Sequence, residues 1–408
     1  MPLRHGVSLW LSTPEARSAP RYPVLRGSHE ADVAIVGGGI TGAVVAQRFA
    51  AAGIRVAIIE GGLVGRGSTA ASSALLLQEP DQGLTELARR HGPAASRRVW
   101  TLSRKAVEAL IDVLARVRVQ CDLERRETVF VARDPEQARR LRRELRHRRA
   151  AGFRGEWLSP SQLQRRSGIA ACGAILTSGN AQLNPYKACV GLVRAAARDG
   201  ADVYERSRVT RIDTIRGGVR VRTAHGRVDA RRVIIATGYA TARFRPLTGR
   251  FRMYRTYVAT TAPLTPRARR RLGFADVMMW DAGRPYHYAR WTADHRFLIG
   301  GGDRRARGGP ARQSRLAAAL RGLRDEFSAL VPGAEPPAFE HAWEGLFALT
   351  PDSLPYIGPH RRYPRHLFAL GYGGNGMTFA ALAAGILLEQ FQDVRSPDHA
   401  LFAFGRFR

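Results

Sequence analysis

The apolar positions of this chain change period several times, and each change marks an element. Residues 1–30 show no sustained period and read as an irregular N-terminal arm. Ala31 to Gly37 is a short apolar run rich in β-branched residues, the pattern of a strand buried on both faces. Ala43 to Ala52 is alanine-rich and helix-competent, with Gly53 placed to end it. Arg55 to Glu60 is a second apolar strand, completing a βαβ unit of about thirty residues, the size of a mononucleotide-binding half. Helical spacing follows over 84–119, carried by Leu84, Leu87, Val99, Leu102, Leu110 and Leu114. Thr128 to Ala132 reads as a strand. Pro135 to Ala151 reads as an arginine-dense helix with a solvated face, and Tyr186 to Asp199 as a further helix. Val219–Thr223, Arg227–Asp229 and Val233–Ala236 read as strands. From about 250 to 300 the period falls to two, and Tyr286–Trp291, the turn 292–295 and Arg296–Gly300 form a hairpin. Ala317–Leu330 is helical. A strand at Leu367–Gly371, a glycine loop at Gly371–Gly376 and an apolar helix from Met377 to Phe391 close the pattern.

Two glycine loops carry the chemistry. Gly37, Gly39 and Gly42 lie between the first strand and the first helix. There Gly37 permits a tight turn, Gly39 lets backbone approach a pyrophosphate, and Gly42 lets helix and sheet pack closely. Ile40 and Thr41 sit at the helix N-terminus, whose free N–H groups favour phosphate. Glu60 ends the next strand, eighteen residues after Gly42, where a carboxylate can accept from ribose hydroxyls, with Gly61 beside it. That acid argues against NADP but leaves FAD and NAD open. Gly65 to Ser73 is a loop of small hydroxyl residues. The second glycine loop, Gly371–Gly376, also opens a helix, whose positive end suits the anionic edge of a reduced flavin. Two such loops at opposite ends of the chain imply one long ligand held by both.

Composition narrows the class. Of 408 residues 45% are hydrophobic and 24% charged, which fits a folded chain and excludes wholesale disorder. The net charge is +31, and all but Lys105 and Lys187 of the 65 basic residues are arginine. Such a surface attracts polyanions, so a nucleic-acid-associated flavoprotein acting on tRNA is one alternative. A peripheral dehydrogenase lying on anionic lipid and feeding quinone is another. No RNA-binding motif appears, and the helix at 135–151 lacks a large apolar face. The three cysteines, Cys121, Cys172 and Cys189, are widely spaced, against a disulfide framework and a zinc site; no metal is expected, and the expected compartment is a reducing cytoplasm. Neither a secretory signal nor a membrane span is expected.

Four blocks, at Asp32–Gly42, Ile235–Gly238, Trp343–Gly358 and Gly371–Thr378, together resemble the D-amino-acid-oxidase-like family of FAD-dependent oxidoreductases, which includes sarcosine, glycine and glutamylputrescine oxidases. The resemblance implies an α/β fold in which a Rossmann-like FAD-binding domain is interleaved with a smaller antiparallel-sheet substrate domain of α+β character. It implies an arm at 1–30, an FAD-binding domain from 31–95, 155–245 and 340–408, and a substrate domain from 96–154 and 246–339. It implies that Gly37, Gly39 and Gly42 meet the pyrophosphate and Glu60 the adenosine ribose. Ser68, Thr69 and Ser72 would lie near the pyrophosphate or flavin, Val209 (in a short strand around 208–212) at the adenine, and Thr237 and Gly238 beneath the phosphates. Gly345 and Asp352 would lie at the cofactor in the third block, and Gly373, Gly374, Asn375, Gly376, Met377 and Thr378 would hold the isoalloxazine ring. Some relatives attach FAD through a cysteine in the last third of the chain; none follows Cys189 here, so non-covalent FAD is expected. The segment 68–76 also lacks a basic residue that some relatives use. In relatives, strands before a turn like Gly301-Gly302-Asp303 roof the flavin.

Period-two alternation puts Tyr286, Tyr288 and Arg290 on one face of that roof, where tyrosine and arginine could bind a substrate carboxylate and shield an amine. Tyr254 and Tyr257 are further candidates, while His341 and His360 read as structural. The implied reaction is oxidation of a C–N bond in a small amine or amino acid by hydride transfer to flavin N5, with hydrolysis of the imine and reoxidation by oxygen or another acceptor. A non-catalytic chain with FAD as a structural ligand is the remaining alternative.

Overall fold

The computed structural model describes residues 4–306 and 312–407. Two sheets organise it. In the first, strands Tyr356–His360, Tyr363–Leu370, Gly226–Gly238, Gly27–Val36, Val56–Ile59 and Asp202–Tyr204 lie side by side in that order. The pairs from Tyr363–Leu370 to Asp202–Tyr204 are parallel. Arg211–Ile215 and Gly218–Arg222 extend this sheet as an antiparallel flap on Gly226–Gly238. The parallel strands are nearly continuous apolar runs because helices cover one face and the flap and C-terminal residues the other. Helix Ile40–Ala50 is buried almost all round, among strand Gly27–Val36 and helices Pro185–Arg198 and Gly376–Phe391, which is why it is built of Ala and Val without a polar stripe.

The second sheet runs Arg4–Gly6, His341–Leu349, Arg252–Thr260, Phe297–Arg305, His287–Trp291, Met278–Asp281, Glu124–Val131, Ala174–Gln182 and Leu75–Leu76, with Glu156–Leu158 also on Ala174–Gln182. Its pairs are antiparallel except Met278–Asp281 with Glu124–Val131. Helix Arg312–Leu330 packs on one face over a core that includes Phe297 and Phe327. The fold is thus α/β with a mixed, largely antiparallel second sheet.

Several expectations change. The arm is not irregular: Arg4–Gly6 pairs with Trp343–Gly345, and two short helices, Leu9–Ser12 and Pro14–Arg17, pack beside it. Too short to show a period, these elements form where distant parts of the chain pack on them: the strand on residues 343–345, and the helices in a core shared with Tyr186 and Trp343. Strand Gly27–Val36 starts earlier than expected because it follows the register of Gly226–Gly238, which itself runs unbroken through the two strands expected there. The helix expected over 84–119 breaks at Gly92, where φ is +83° and Pro93 opens a new helix. The largely antiparallel sheet has ten strands and the other eight among the described residues, since it recruits 4–6, 156–158, 174–182 and 341–349. Helix Pro93–Arg116 packs on helix Gly376–Phe391.

The arginine-dense helix Pro135–Ala150 is not simply solvated. Arg148 is fully buried, 2.8 Å from Glu144 and 3.8 Å from Glu79, with its guanidinium 4.5 Å from the Trp100 ring centre. Arg142 stacks on Trp157, and Arg140 and Arg149 donate to the carbonyls of Ala282 and Gly155. Among the described residues no helix is long and apolar enough to cross a membrane.

Candidate active site

The two glycine turns meet. A cavity of about 1120 Å³ is lined by Gly37, Gly39, Ile40 and Thr41 from the first and by Gly373, Gly374, Asn375, Gly376 and Met377 from the second. The parallel register of strands 27–36, 226–238 and 363–370 brings them together, because strands that run the same way deliver their C-terminal ends to one edge. Glu60, Gly61, Ser68, Thr69, Ser72, Val209, Thr237, Gly238, Tyr286, Tyr288 and Gly345 line the same space.

Local chemistry shapes the first turn. Gly37 has φ of +114°, and a Cβ there would lie 2.7 Å from the Ala236 carbonyl. Gly42 does not line the cavity; its role is close approach, since a Cβ would stand 1.9 Å from the Gly37 oxygen. Glu60 is fixed by two backbone donors, Gly38 N–H at 2.7 Å and Gly62 N–H at 2.6 Å, which leaves acceptor capacity on an oriented carboxylate. The hydroxyls expected near phosphate are already engaged: Ser68 donates to the Leu346 carbonyl, Thr69 accepts from Ile40 N–H, and Ser72 accepts from Ala74 N–H. They set the shape of the turn. Val209 lines the cavity from a loop, since the strand begins only at Arg211.

These residues fit FAD. Helices Ile40–Ala50 and Gly376–Phe391 both start on the cavity, with no cap from the residue that precedes them and no acid in the first turn, while Thr69 occupies the Ile40 N–H of the first. The helices that begin just after Asp134, Ser159, Asn184 and Thr265, by contrast, are capped by those side chains. At an N-terminus that faces a cavity, the N–H groups without a side-chain partner leave donors and positive potential for an anionic ligand. A Cβ on Gly39 would meet the Thr69 hydroxyl at 3.2 Å and stand in the space beside the turn. None of the three free cysteines lines the cavity.

Three expected residues lie elsewhere. Arg290 points away from the cavity: it is buried, and it donates to the carbonyls of Ser73 (2.8 Å), Leu183 (2.9 Å) and Trp291 (3.1 Å). Burial lowers its pKa to about 10. It ties the segment before strand Leu75–Leu76 to the roof and has no donor directed at a substrate. Asp352 is buried in a structural network, accepting from both Arg406 Nε and Nη2 at 2.8 Å, from Thr350 and from Leu354 N–H, with His91 at 3.1 Å. Burial would raise its pKa, but Arg406 prevails and holds it below the usual range. Thr378 donates to the Leu77 carbonyl and faces the interior. Of the other candidates, Tyr254 lines the cavity, stacked on Phe347, while Tyr257 is core. His341 lies by Ser12 and Glu340, and His360 packs among Tyr363 and Phe404.

Beside the two expected tyrosines, the roof brings residues that no local motif announced. Tyr286 and Tyr288 stand 6.1 Å apart, and the Tyr288 hydroxyl is 3.0 Å from that of Thr256. Asp81 and Asp303 line the cavity beside them. Burial raises Asp303 to about 7; Thr256 opposes the shift and Asp81 adds to it. Burial likewise raises Asp81 to about 6 against the Gly374 N–H and Arg284. Asp303 was visible only as part of a glycine-rich turn, and Asp81 sits in a loop with no distinguishing spacing. Arg4 and Arg66 also line the cavity; Arg4 comes from the arm, whose sequence gives no sign of it. Behind the roof, Asp281, His287 and Glu326 could hold a metal by spacing, but the Arg133 side chain pairs with Glu326 and lies 3.7 Å from Asp281, so the acids already have a cation.

Comparison with known proteins agrees with this geometry. The chain is 28% identical over 383 residues to gamma-glutamylputrescine oxidoreductase of Escherichia coli (strain K12), covering 92% of this chain and 87% of that protein. It is 26% identical over 366 residues to glycine oxidase of Bacillus licheniformis, covering 86% and 89%. The crystal structure of glycine oxidase from Geobacillus kaustophilus superposes with a TM-score of 0.77 at 24% identity, over 93% of this chain and all of that one. L-proline dehydrogenase from P. horikoshii gives 0.77 at 18% identity, over 92% and 97%. The profile of the DAO family, described as FAD dependent oxidoreductase, matches residues 32–390. With that match across most of its length, the chain belongs to the DAO family of FAD-dependent oxidoreductases.

Proposed function

We propose that this chain oxidises a carbon–nitrogen bond of a small amine or amino acid to an imine, which hydrolyses in water. Bound FAD supplies the two-electron acceptor that side chains lack. One observation carries the reading: two helix-opening glycine turns, more than three hundred residues apart, share one cavity with Tyr288 on an antiparallel strand and Tyr286 just before it.

In this reading Gly37, Gly39, Ile40 and Thr41 take the pyrophosphate, Glu60 and Gly61 the adenosine ribose, and Val209, Thr237 and Gly238 the adenosine side. Gly345 and Gly373 to Met377 hold the ring system. Tyr286 and Tyr288 act on the substrate. Burial raises the pKa of both phenols, so they stay protonated and can donate hydrogen bonds. Their rings keep water from the reacting carbon and hold the substrate in one orientation. The named relatives support both substrate classes, one being a gamma-glutamylputrescine oxidoreductase and another a glycine oxidase. Oxygen or another acceptor then regenerates the oxidised coenzyme.

The test is anaerobic. Panels of amines and amino acids are mixed with the purified yellow protein and flavin absorbance is followed. Bleaching by at least one compound, with ammonia or a smaller amine released, is the expected result. If no amine or amino acid bleaches the flavin while dithionite does, the reading fails.

A further inference from the structure

The tyrosine end of the cavity is acidic; its selectivity rests on the proposed function, in which this end receives the substrate. Asp81 reaches the second glycine turn, where its Oδ2 accepts from Gly374 N–H at 2.6 Å. A methyl group placed on the Gly374 Cα would lie 2.7 Å from the Tyr286 hydroxyl and 3.0 Å from Asp81 Oδ1. The Tyr286 phenol and the Asp81 carboxylate therefore both crowd the open side of Gly374. Asp303 stands near enough for the Asp81 charge to act on it, and its Oδ1 is buried without a hydrogen-bond partner. A buried carboxylate oxygen in that state is stabilised by a donor from a ligand.

Positive charge at this end is sparse. Arg284 acts on both carboxylates but is exposed, with its guanidinium donating to the Gly283 carbonyl. His287 acts on Asp303 from beside Asp281 and Glu326. Arg290, the arginine that strand alternation placed here, is held by three carbonyls outside the cavity. Arg4 and Arg66 also line the cavity, but each donates to a backbone carbonyl, of Gly6 and Ala16, and neither is among the cations acting on Asp81 or Asp303, so a substrate carboxylate beside the tyrosines would meet two acidic groups. An ammonium would meet two carboxylates and two phenols.

We infer that Asp81 and Asp303 form the specificity determinant of the site and select a cationic amine carrying no carboxylate on the reacting carbon, over an α-amino acid.

The experiment uses the FAD-loaded protein and two matched probes. tert-Butylamine and 2-aminoisobutyric acid differ by a methyl for a carboxylate, and neither has a hydrogen on the nitrogen-bearing carbon, so binding is read without turnover from the change in the flavin spectrum and in melting temperature. tert-Butylammonium is expected to bind at least tenfold more tightly than 2-aminoisobutyrate. D303N and D81N, checked for retained yellow colour, are expected to lose at least fivefold in affinity for tert-butylammonium while holding or improving that for 2-aminoisobutyrate. Tighter binding of 2-aminoisobutyrate by the unmodified protein overturns the inference, whether or not the variants fold. So does unchanged tert-butylammonium affinity in both folded variants. Isopropylamine and alanine, which have the missing hydrogen, separate this inference from the oxidation itself. Bleaching by alanine in preference to isopropylamine sinks the inference and leaves oxidation standing. Selective, aspartate-dependent binding without bleaching by either upholds the selectivity and counts against oxidation.

Discussion

Asp303 holds an ionisable group where ionisation is unfavourable, and removing that group has a calculable effect. Burial and the neighbouring Asp81 lift its pKa from 3.8 to about 7. At about 1.36 kcal/mol per unit, a shift of about three units is worth about 4 kcal/mol, and cavity water reduces this to about 2–4 kcal/mol. The direction follows from the protons. Between pH 3.8 and about 7 the unfolded chain has released this proton while the folded chain keeps it, so stability falls as pH rises through that window. The loss is complete above about pH 7 and absent below about pH 4. Groups facing the carboxyl are Asp81, Tyr286, Tyr288 and Thr256, with Arg284 and His287 also acting on it. Asp303→Asn keeps the shape and cannot ionise. It also removes the repulsion between Asp303 and Asp81. The variant is therefore expected to melt above the parent at pH 8 by about 2–5 °C, using an unfolding entropy of about 2.1 cal/mol/K per residue over the chain. At pH 4.5 the difference should close to within about 1 °C. Paired thermal scans across pH 4.5–8.5 decide it. A difference that is constant with pH, or a less stable variant at pH 8, refutes the argument. The same substitution is expected to weaken cation binding, a stability–function trade of the kind found where a site keeps a charge in an unfavourable place.

Other perturbations test separate parts of the structure. Gly39→Val should fold yet purify colourless, because its side chain enters the space beside Thr69 where the pyrophosphate would lie; circular dichroism with flavin absorbance reports both. Gly42→Ala should fail at an earlier stage, yielding little soluble protein, since its methyl would overlap the Gly37 carbonyl at 1.9 Å. Arg290→Met should lower stability by about 3 kcal/mol or more by stripping donors from three carbonyls; substrate KM in the surviving protein, measured at low temperature, should change less than twofold if Arg290 has no substrate contact. Glu60→Gln should weaken FAD retention about tenfold, read by dialysis against dilute FAD, because the carboxylate held by Gly38 and Gly62 is lost as an acceptor.

Much of the site was legible because it depends on local rules. A strand, a glycine turn and a helix must follow each other within a dozen residues to place a phosphate, and Gly37, Gly39 and Gly42 sit at those positions. Glu60 follows at the distance the next strand requires. The helix opened by Gly376 was legible for the same reason. Arg290 misled because alternation gives a face and not a neighbour: Tyr288 and Arg290 leave the strand on the same side, yet one reaches the cavity and the other meets the carbonyls of Ser73 and Leu183. Asp352 stands in a recognisable block, but Arg406, more than fifty residues away, takes both of its oxygens.

The sequence alone determined the α/β class and the two glycine turns, which are written in short-range spacing and in backbone conformations that glycine adopts easily, and by resemblance of four blocks it determined the family. Tertiary structure decided which polar side chains share the substrate end. Asp81 lies about two hundred residues from Tyr286 and Asp303, which sit on one hairpin, and the turn at Gly374 is carried onto the same cavity by the other sheet. Charge at that end depends on distance and burial, and neither can be read from a pattern of residue types.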